Sequence, residues 1–449
     1  MRKVVLILYV LILISYCSTG QENQLVVNYE KKTFELYNQK NWPELIKWGK
    51  KAIENGSDYF YMRMRLGIAF YERQNYHRAL IHFRKAAEFN PNDQYLLEYI
   101  YYANIFINRE KAALDVTKQF SSSMKANWTG IKVPKFKLGN LALQYSFSDF
   151  QAGLENIDEI PSEQNGYQVF ENSIFKATLG FNHLISKKFS LFYQYGFLMG
   201  NRFTYYQNDS VGYYDPNQKL YQNQFYILGN IYLGSGFNLN LSIHYLPGKV
   251  PDFYVGSGNG MGQASSYTLV PAYKYNDFTG HLSLIKDFPY ISLGVAGSYS
   301  YLNYGTYLQE GLLIRFYPLG NLNLYLTSSF HIQQALSGGG FIQKGQFAEL
   351  SLGFKIFNPV WLEIAGAYGD MHYVTTQMGW LVYNGPNPVD KQFSASLLIP
   401  VGKKNTLLSF NYSYYSTTSN FTSTDTGEST INSTNYNMNS IYGGVSWTF

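Results

Sequence analysis

The feature that most limits what this chain can fold into is a period-two alternation running through long segments of residues 136–449. Phe237, Leu239, Leu241, Ile243 and Tyr245 alternate with Asn238, Asn240, Ser242 and His244. Leu322, Leu324, Leu326 and Phe330 alternate with Asn323, Tyr325, Thr327 and Ser329, and Leu408, Phe410, Tyr412 and Tyr414 with Ser409, Asn411 and Ser413. Successive side chains of a strand point to opposite faces, so each segment has one apolar, aromatic-edged face and one polar face. A sandwich would bury the apolar face against a second sheet, but strands there are mostly about five or six residues long. These segments run ten to fifteen residues, the length a tilted strand needs to cross a hydrocarbon layer of about 30 Å.

Composition agrees with that reading. Charged residues are 14% of the 449 and aromatics 18%, with 43 Tyr, whereas about a quarter of an ordinary soluble domain is charged. Beyond residue 20 no stretch offers eighteen consecutive apolar residues, which excludes a helical membrane protein. The net charge of +5 is spread along the chain and gives no nucleic-acid footprint. Residues 1–20 read as a secretory signal peptide: Arg2 and Lys3, an apolar run from Val4 to Ile14, then Ser18 and Gly20 before a cut at Gln21. Cys17 invites a lipoprotein reading, but bulky Tyr16 precedes it where a small residue is wanted. With the ordinary cut the mature chain has no cysteine.

Residues 60–93 carry landmarks at fixed spacing: Leu66, Gly67, Phe70, Tyr76, Ala79, Phe83, Ala86 and Pro91. Small Gly67 and Ala79 let two helices approach, while Phe70, Tyr76 and Phe83 fill the space around them. The pattern resembles a tetratricopeptide repeat over its whole length, departing at Arg63, where the family prefers a large apolar residue. One repeat cannot bury its own face, so degenerate neighbours are expected at 28–55 and 94–120. Such repeats imply a surface for a partner protein. A helical spacer is the alternative. The expected organisation is a signal peptide (1–20), a periplasmic helical domain (21–120), a linker (121–135) and a barrel (136–449).

Turn spacing sets the topology. Short connections fall at 186–188, 234–236, 287–289, 318–321, 358–359 and 402–405. Long ones, rich in Asn, Gly, Ser and Tyr, fall at 148–167, 206–218, 247–265, 336–344, 374–390 and 416–434. Membrane barrels place short turns in the periplasm and long loops outside. With both chain ends periplasmic, short turns must follow even-numbered strands. Splitting 266–287 at Asn276 and Asp277 gives fifteen strands, a parity such a chain cannot have. Read as one strand, with Pro271 where the ladder stands clear of the membrane, it gives an antiparallel up-and-down barrel of fourteen. Sixteen follow if one more hairpin is present.

In the last segment, Ile441, Gly443, Val445, Trp447 and Phe449 alternate with Tyr442, Gly444, Ser446 and Thr448. A terminal strand of this pattern ending on Phe resembles the closing strand of bacterial outer-membrane β-barrels. The resemblance implies that Val445, Trp447 and Phe449 form the signal read by the barrel assembly machinery. An ordinary sandwich edge strand would show the same residues, but strand parity makes this the fourteenth strand, paired with the first near 138–147.

Sites are sparse. Inward parity selects Lys176, Arg315, Glu349, Lys355 and Glu363, a mixed set suited to ion pairing across the interior or to lining a constriction. Asn240, Ser242 and His244 share one polar face and supply the residue types of a hydrolase. They stand in a row, however, and would need cross-strand partners. The seven histidines are scattered, no cysteine pair exists, and no metal or cofactor is expected. The Gly-rich run 255–262 lacks the Lys of a phosphate loop.

The layout resembles bacterial exopolysaccharide-export porins, which implies repeats that dock periplasmic machinery and a barrel that passes polymer. The expectation is a non-enzymatic outer-membrane channel or export porin, with outer-membrane lipid, the assembly machinery, a periplasmic protein and a polysaccharide or small solute as partners. A structural or adhesive barrel with a filled lumen is the alternative, and a lipid-modifying enzyme is third.

Overall fold

The structure is a computed structural model in which residues 28–149, 165–208, 211–256, 266–337, 339–402, 406–423 and 429–448 are described. The signal-peptide reading, Cys17 and Phe449 lie outside the described residues. The chain divides into two compact units, 1–131 with 317–322, and 132–316 with 323–449.

The described residues of the first unit hold seven helices: α1 (28–38), α2 (Trp42–Glu54), α3 (Phe60–Glu72), α4 (Tyr76–Phe89), α5 (Gln94–Phe106), α6 (Glu110–Val116) and α7 (Ser122–Ala126). Several begin at a side-chain cap that satisfies an otherwise orphaned backbone donor. The side chains of Asn41, Asn75, Asp93 and Ser121 accept from the amides of Glu44, Arg78, Leu96 and Met124. α7 lies within the segment read as a linker.

Where α3 meets α4, a Cβ on Gly67 would come 2.4 Å from the Phe83 ring, so only glycine allows the approach. Leu66, Phe70, Ala79, Phe83 and Ala86 are buried, Tyr76 is half-buried, and Pro91 is exposed beyond the end of α4. Burying one Phe side chain contributes roughly 1.5–3 kcal/mol. Arg63, the departure from the repeat pattern, reaches the Asp58 carboxylate at 2.6 and 2.5 Å. His82 stacks on Phe70 with ring centroids 5.3 Å apart.

The second unit is a closed antiparallel barrel of fourteen strands. Its first eleven are β1 (Phe136–Ser148), β2 (Gly166–Leu184), β3 (Phe189–Asn208), β4 (Val211–Gly234), β5 (Phe237–Gly256), β6 (Ser266–Asp287), β7 (Ile291–Leu302), β8 (Gly305–Phe316), β9 (Leu324–Ser337), β10 (Gly340–Phe357) and β11 (Val360–Met371). A two-stranded ribbon, β12 (Thr375–Thr376) with β13 (Leu381–Val382), follows outside the ladder. The last three barrel strands are β14 (Val389–Val401), β15 (Thr406–Ser423) and β16 (Ser429–Thr448).

β16 closes on β1 through Leu138↔Trp447, Leu143↔Gly443 and Tyr145↔Ile441. On the inner side of that seam Gln144 and Ser146 both donate to Ser440 Oγ, at 2.8 and 3.0 Å. β6 is one strand, and β7 turns into β8 over Asn303 and Tyr304, both at positive φ (46° and 63°). That is the backbone twist a two-residue hairpin turn requires.

Several stretches read as long loops are instead continued ladder. β3 and β4 stay paired to Asn208↔Val211, β5 and β6 to Gly256↔Ser266, β9 and β10 to Ser337↔Gly340, and β15 and β16 to Thr422↔Ser429. Beyond the apolar belt the two faces of a strand no longer differ in surroundings: Thr204, Tyr205, Tyr206 and Gln207 on β3 are all buried, while Leu336, Ser337, Phe341 and Ile342 on β9 and β10 are all exposed, so alternation stops while backbone pairing goes on. Loss of the pattern was therefore not loss of the strand.

The outer face carries large exposed apolar side chains at alternate positions. Examples are Leu141, Leu143 and Tyr145 on β1, Leu241 and Ile243 on β5, and Leu312 and Ile314 on β8. An apolar band of this extent around a closed barrel is a lipid-facing surface.

Two outcomes follow for the helical unit. Gly67→Val overpacks the Phe83 contact and should cost about 1–3 kcal/mol, read as a lower melting temperature of the helical circular-dichroism signal of the whole protein. Acid should also destabilise this unit. Burial, with Arg63, Lys50 and Arg78 nearby, pushes the His82 imidazole from its ordinary 6.5 to about 4. Burial, with Arg109 and Arg84, pushes His77 to about 3. Below about 6.5 the unfolded chain binds the protons that the fold refuses, so stability is full above that pH and falls toward pH 4. The helical melting temperature should be lower at pH 5 than at pH 7.5, and lose most of that dependence in His77→Gln/His82→Gln.

Candidate functional site

The inner wall of the barrel is polar, and most of its buried side chains are uncharged amides, hydroxyls and imidazoles. Gln194, Gln222 and Gln224, Ser242, His244 and His281, and Gln309, Ser329 and Gln333 are buried there. Across this interior runs the segment 372–388, which links β11 to β14 and contains β12 and β13. The sequence reading placed 374–390 among the external loops; the structure corrects this. The direction of the segment is set by its backbone groups, which find donors and acceptors on the inner wall, and composition does not reveal that.

The fastening uses side chains of the wall against main chain of the segment. Gln309 grips Thr375 at both ends of its amide, donating to the carbonyl (2.7 Å) and accepting from the amide N–H (3.0 Å). Gln333 donates to the Tyr373 carbonyl at 2.6 Å. At the tip, Tyr226 and Ser242 donate to the Met378 carbonyl at 2.9 and 2.6 Å. His244 Nδ1 lies 3.1 Å from the Gly379 carbonyl, so the proton sits on Nδ1. Further along, Asn384 donates to Asp277 Oδ2 at 2.9 Å, and Asn387 donates to the Val169 carbonyl at 2.8 Å. The tip is sharply turned, with Gln377, Met378 and Gly379 at φ 52°, 61° and 81°. That conformation costs about 1–2 kcal/mol per non-glycine residue, comparable to three hydrogen bonds at about 0.5–1.5 kcal/mol each.

Against the segment lies a cavity of about 360 Å³ bounded by β1, β3, β4, β15 and β16. Phe192, Tyr226, Trp380, Leu228 and Leu407 give it an apolar lining. Asn140, Gln194, Gln377, Ser409 and Tyr442 supply its polar side. Glycine makes room for the Phe192 ring: a Cβ on Gly139 or Gly180 would come within 2.7 or 2.9 Å of it.

The structure gives the five charges chosen from sequence different surroundings. Lys176 Nζ sits 5.3 Å from the centre of the Trp380 ring, so it reaches the segment. Glu349 accepts from Ser329 at 2.8 Å and lies 3.7 Å from His331. Glu363 accepts from the Tyr325 hydroxyl at 2.6 Å, and Lys355 lies over Trp361 at 4.7 Å. Arg315 is exposed near the end of β8. Among the described ion pairs none joins two of the five; Arg202 pairs with Glu171 at 3.7 Å. Ser242 and His244 hold the segment, and Asn240 donates to Ser283 at 3.1 Å, so the three are not arranged as nucleophile and base. Among the described residues no group of His, Cys, Asp and Glu is placed to hold a metal.

Sequence reasoning missed Gln309, Gln333, Asp277 and Asn387. Their signal was inward parity on a strand or a place in a polar loop, which many residues share. Gln309→Ala leaves Thr375 without either partner in a buried position, a loss of about 1–3 kcal/mol. Hydrogen exchange at the Thr375 amide should speed up by about tenfold or more, with exchange in the barrel ladder unchanged.

No protein-family model matches the chain, and no curated protein matches it. Among solved structures it is similar to the toluene transporter TodX of Pseudomonas putida, at 9% identity and a TM-score of 0.42 over 70% of this chain and 89% of that one. Similarity to the toluene transporter TbuX of Ralstonia pickettii is at 9% identity and 0.43, over 71% and 90%. For a FadL homologue of Pseudomonas aeruginosa the values are 10% and 0.38, over 70% and 90%. Likeness at this level identifies neither a family nor a cargo.

Proposed function

We propose that this protein is a non-enzymatic outer-membrane channel for small solutes, closed by the segment 372–388. The observation that carries the reading is how that segment is held. It crosses the lumen on side-chain hydrogen bonds to Gln309, Gln333, Tyr226 and Ser242, not on a continuous ladder, and its tip is held at positive φ. A closure built this way can be released for a few kcal/mol. A segment docked across the lumen narrows it, which favours a small solute over polysaccharide export.

In this reading the helices are a tetratricopeptide-type module in the periplasm that recruits a protein partner. The matching residues of α3 and α4 and the exposed aromatics Phe34, Tyr61 and Tyr95 support it. The barrel assembly machinery would read Val445, Trp447 and Phe449.

The filled lumen equally suits a structural barrel that never conducts, and one experiment separates the two. Replacing 374–387 by a short Gly-Ser bridge should turn rare or absent openings in planar bilayers into steady conductance, at least tenfold above the intact protein. Silence in both, with the barrel correctly folded, would mean a structural barrel.

A further inference from the structure

The cavity beside the segment has a chemistry narrow enough to name its occupant. We propose that it binds a neutral, mostly apolar molecule the size of two fused aromatic rings carrying one hydroxyl or carbonyl, and that such a ligand holds the segment docked.

Size comes first. The cavity measures about 360 Å³, and an apolar cavity of about 150 Å³ accepts benzene. Two fused rings are of a size to fill it. The lining offers ring faces for them in Phe192, Tyr226 and Trp380, with Leu228 and Leu407 beside these.

The polar side is largely spent on itself. Asn140 donates to Thr178 at 3.1 Å and to Gln194 Oε1 at 3.3 Å, and accepts from the Tyr442 hydroxyl at 3.1 Å. Ser409 is hydrogen-bonded to Tyr442 as well, and what remains is the Gln194 amide N–H₂ and the Gln377 side chain, enough for one or two hydrogen bonds. A sugar brings a hydroxyl on nearly every carbon, more than these groups can partner, and offers little apolar surface to the rings. No charged side chain lines the cavity. Lys176, the nearby cation, lies over the Trp380 ring and is not part of the lining. A charged ligand would enter without a counter-charge.

The link to the segment follows from Gln377 and Trp380, which belong to the segment and form part of the lining. The site is complete only in the docked arrangement. A ligand that binds one of two states shifts the population toward it, so occupancy must favour closure. This consequence rests on the channel reading; the binding itself does not.

The test uses the full-length protein in detergent and isothermal titration with 2-naphthol, which is neutral at pH 7. Saturable binding is expected, at least tenfold tighter than for 2-naphthoate or methyl glucoside. It should weaken at least tenfold in Ser409→Trp, which fills the cavity, and in the variant with 374–387 replaced. Heat-modifiable migration checks that each barrel is folded, and Leu407→Trp fills the same space should Ser409→Trp fail that check. In planar bilayers 2-naphthol should lower the opening frequency of the intact protein and leave the bridged variant unaffected. Absence of saturable binding, binding unchanged by the filling variant, or 2-naphthoate or methyl glucoside binding as tightly would each overturn the site. Binding as expected in a protein silent before and after bridging would overturn the channel reading and leave the site standing. Steady pores without binding would do the reverse.

Discussion

The pairing of β16 with β1 is what the rest of the barrel depends on. In hydrocarbon an unpaired backbone N–H or C=O costs several kcal/mol and finds no water to relieve it, so an open edge is not an option. Closing the sheet at Leu138↔Trp447 through Tyr145↔Ile441 removes the edge. Once the ladder is closed, alternation fixes everything else. Every second residue must tolerate lipid, every other one must tolerate a narrow interior, and the two sets cannot be exchanged without slipping the register of a whole strand.

That division inverts the economy of a soluble protein. Leu143 and Ile243 are exposed, while Gln333, Asn240 and Ser283 are buried. The interior is therefore held by hydrogen bonds that must be mutually satisfied, and a chain segment entering it is bound by the same currency. Gln309 clasping Thr375 at both ends is the clearest case: a side-chain amide does for one residue what a neighbouring strand would do for a ladder.

The fold was legible because its constraints are local and periodic. Alternation in 237–245 and 408–414 reported two faces, and parity decided that 266–287 is one strand. The apparent loops misled for a physical reason: once the two faces of a strand have like surroundings, as at Thr204 to Gln207 where both are buried, Thr, Tyr and Gln serve on either face and no longer alternate. The site was harder. Lys176 was found because a charge on a membrane strand has only one place to point, and it does reach Trp380. Gln309 and Gln333 were not, because nothing in a polar inward residue announces which backbone group it will meet. In the helices, Gly67 was legible since close approach leaves room for nothing else, whereas the pairing of Arg63 with Asp58 depends on a geometry that spacing does not carry.

The tip of the lumen segment offers the wall its carbonyl oxygens at Met378 and Gly379, not its side chains. Fastening and lining are thus assigned to different atoms of the same three or four residues. What residues 377–379 must preserve is a backbone shape, while the side chains of Gln377 and Trp380 shape what the cavity accepts, Trp380 also meeting Lys176 of the wall. A lineage of such barrels could retune its ligand by substitution at these two positions without redesigning the closure.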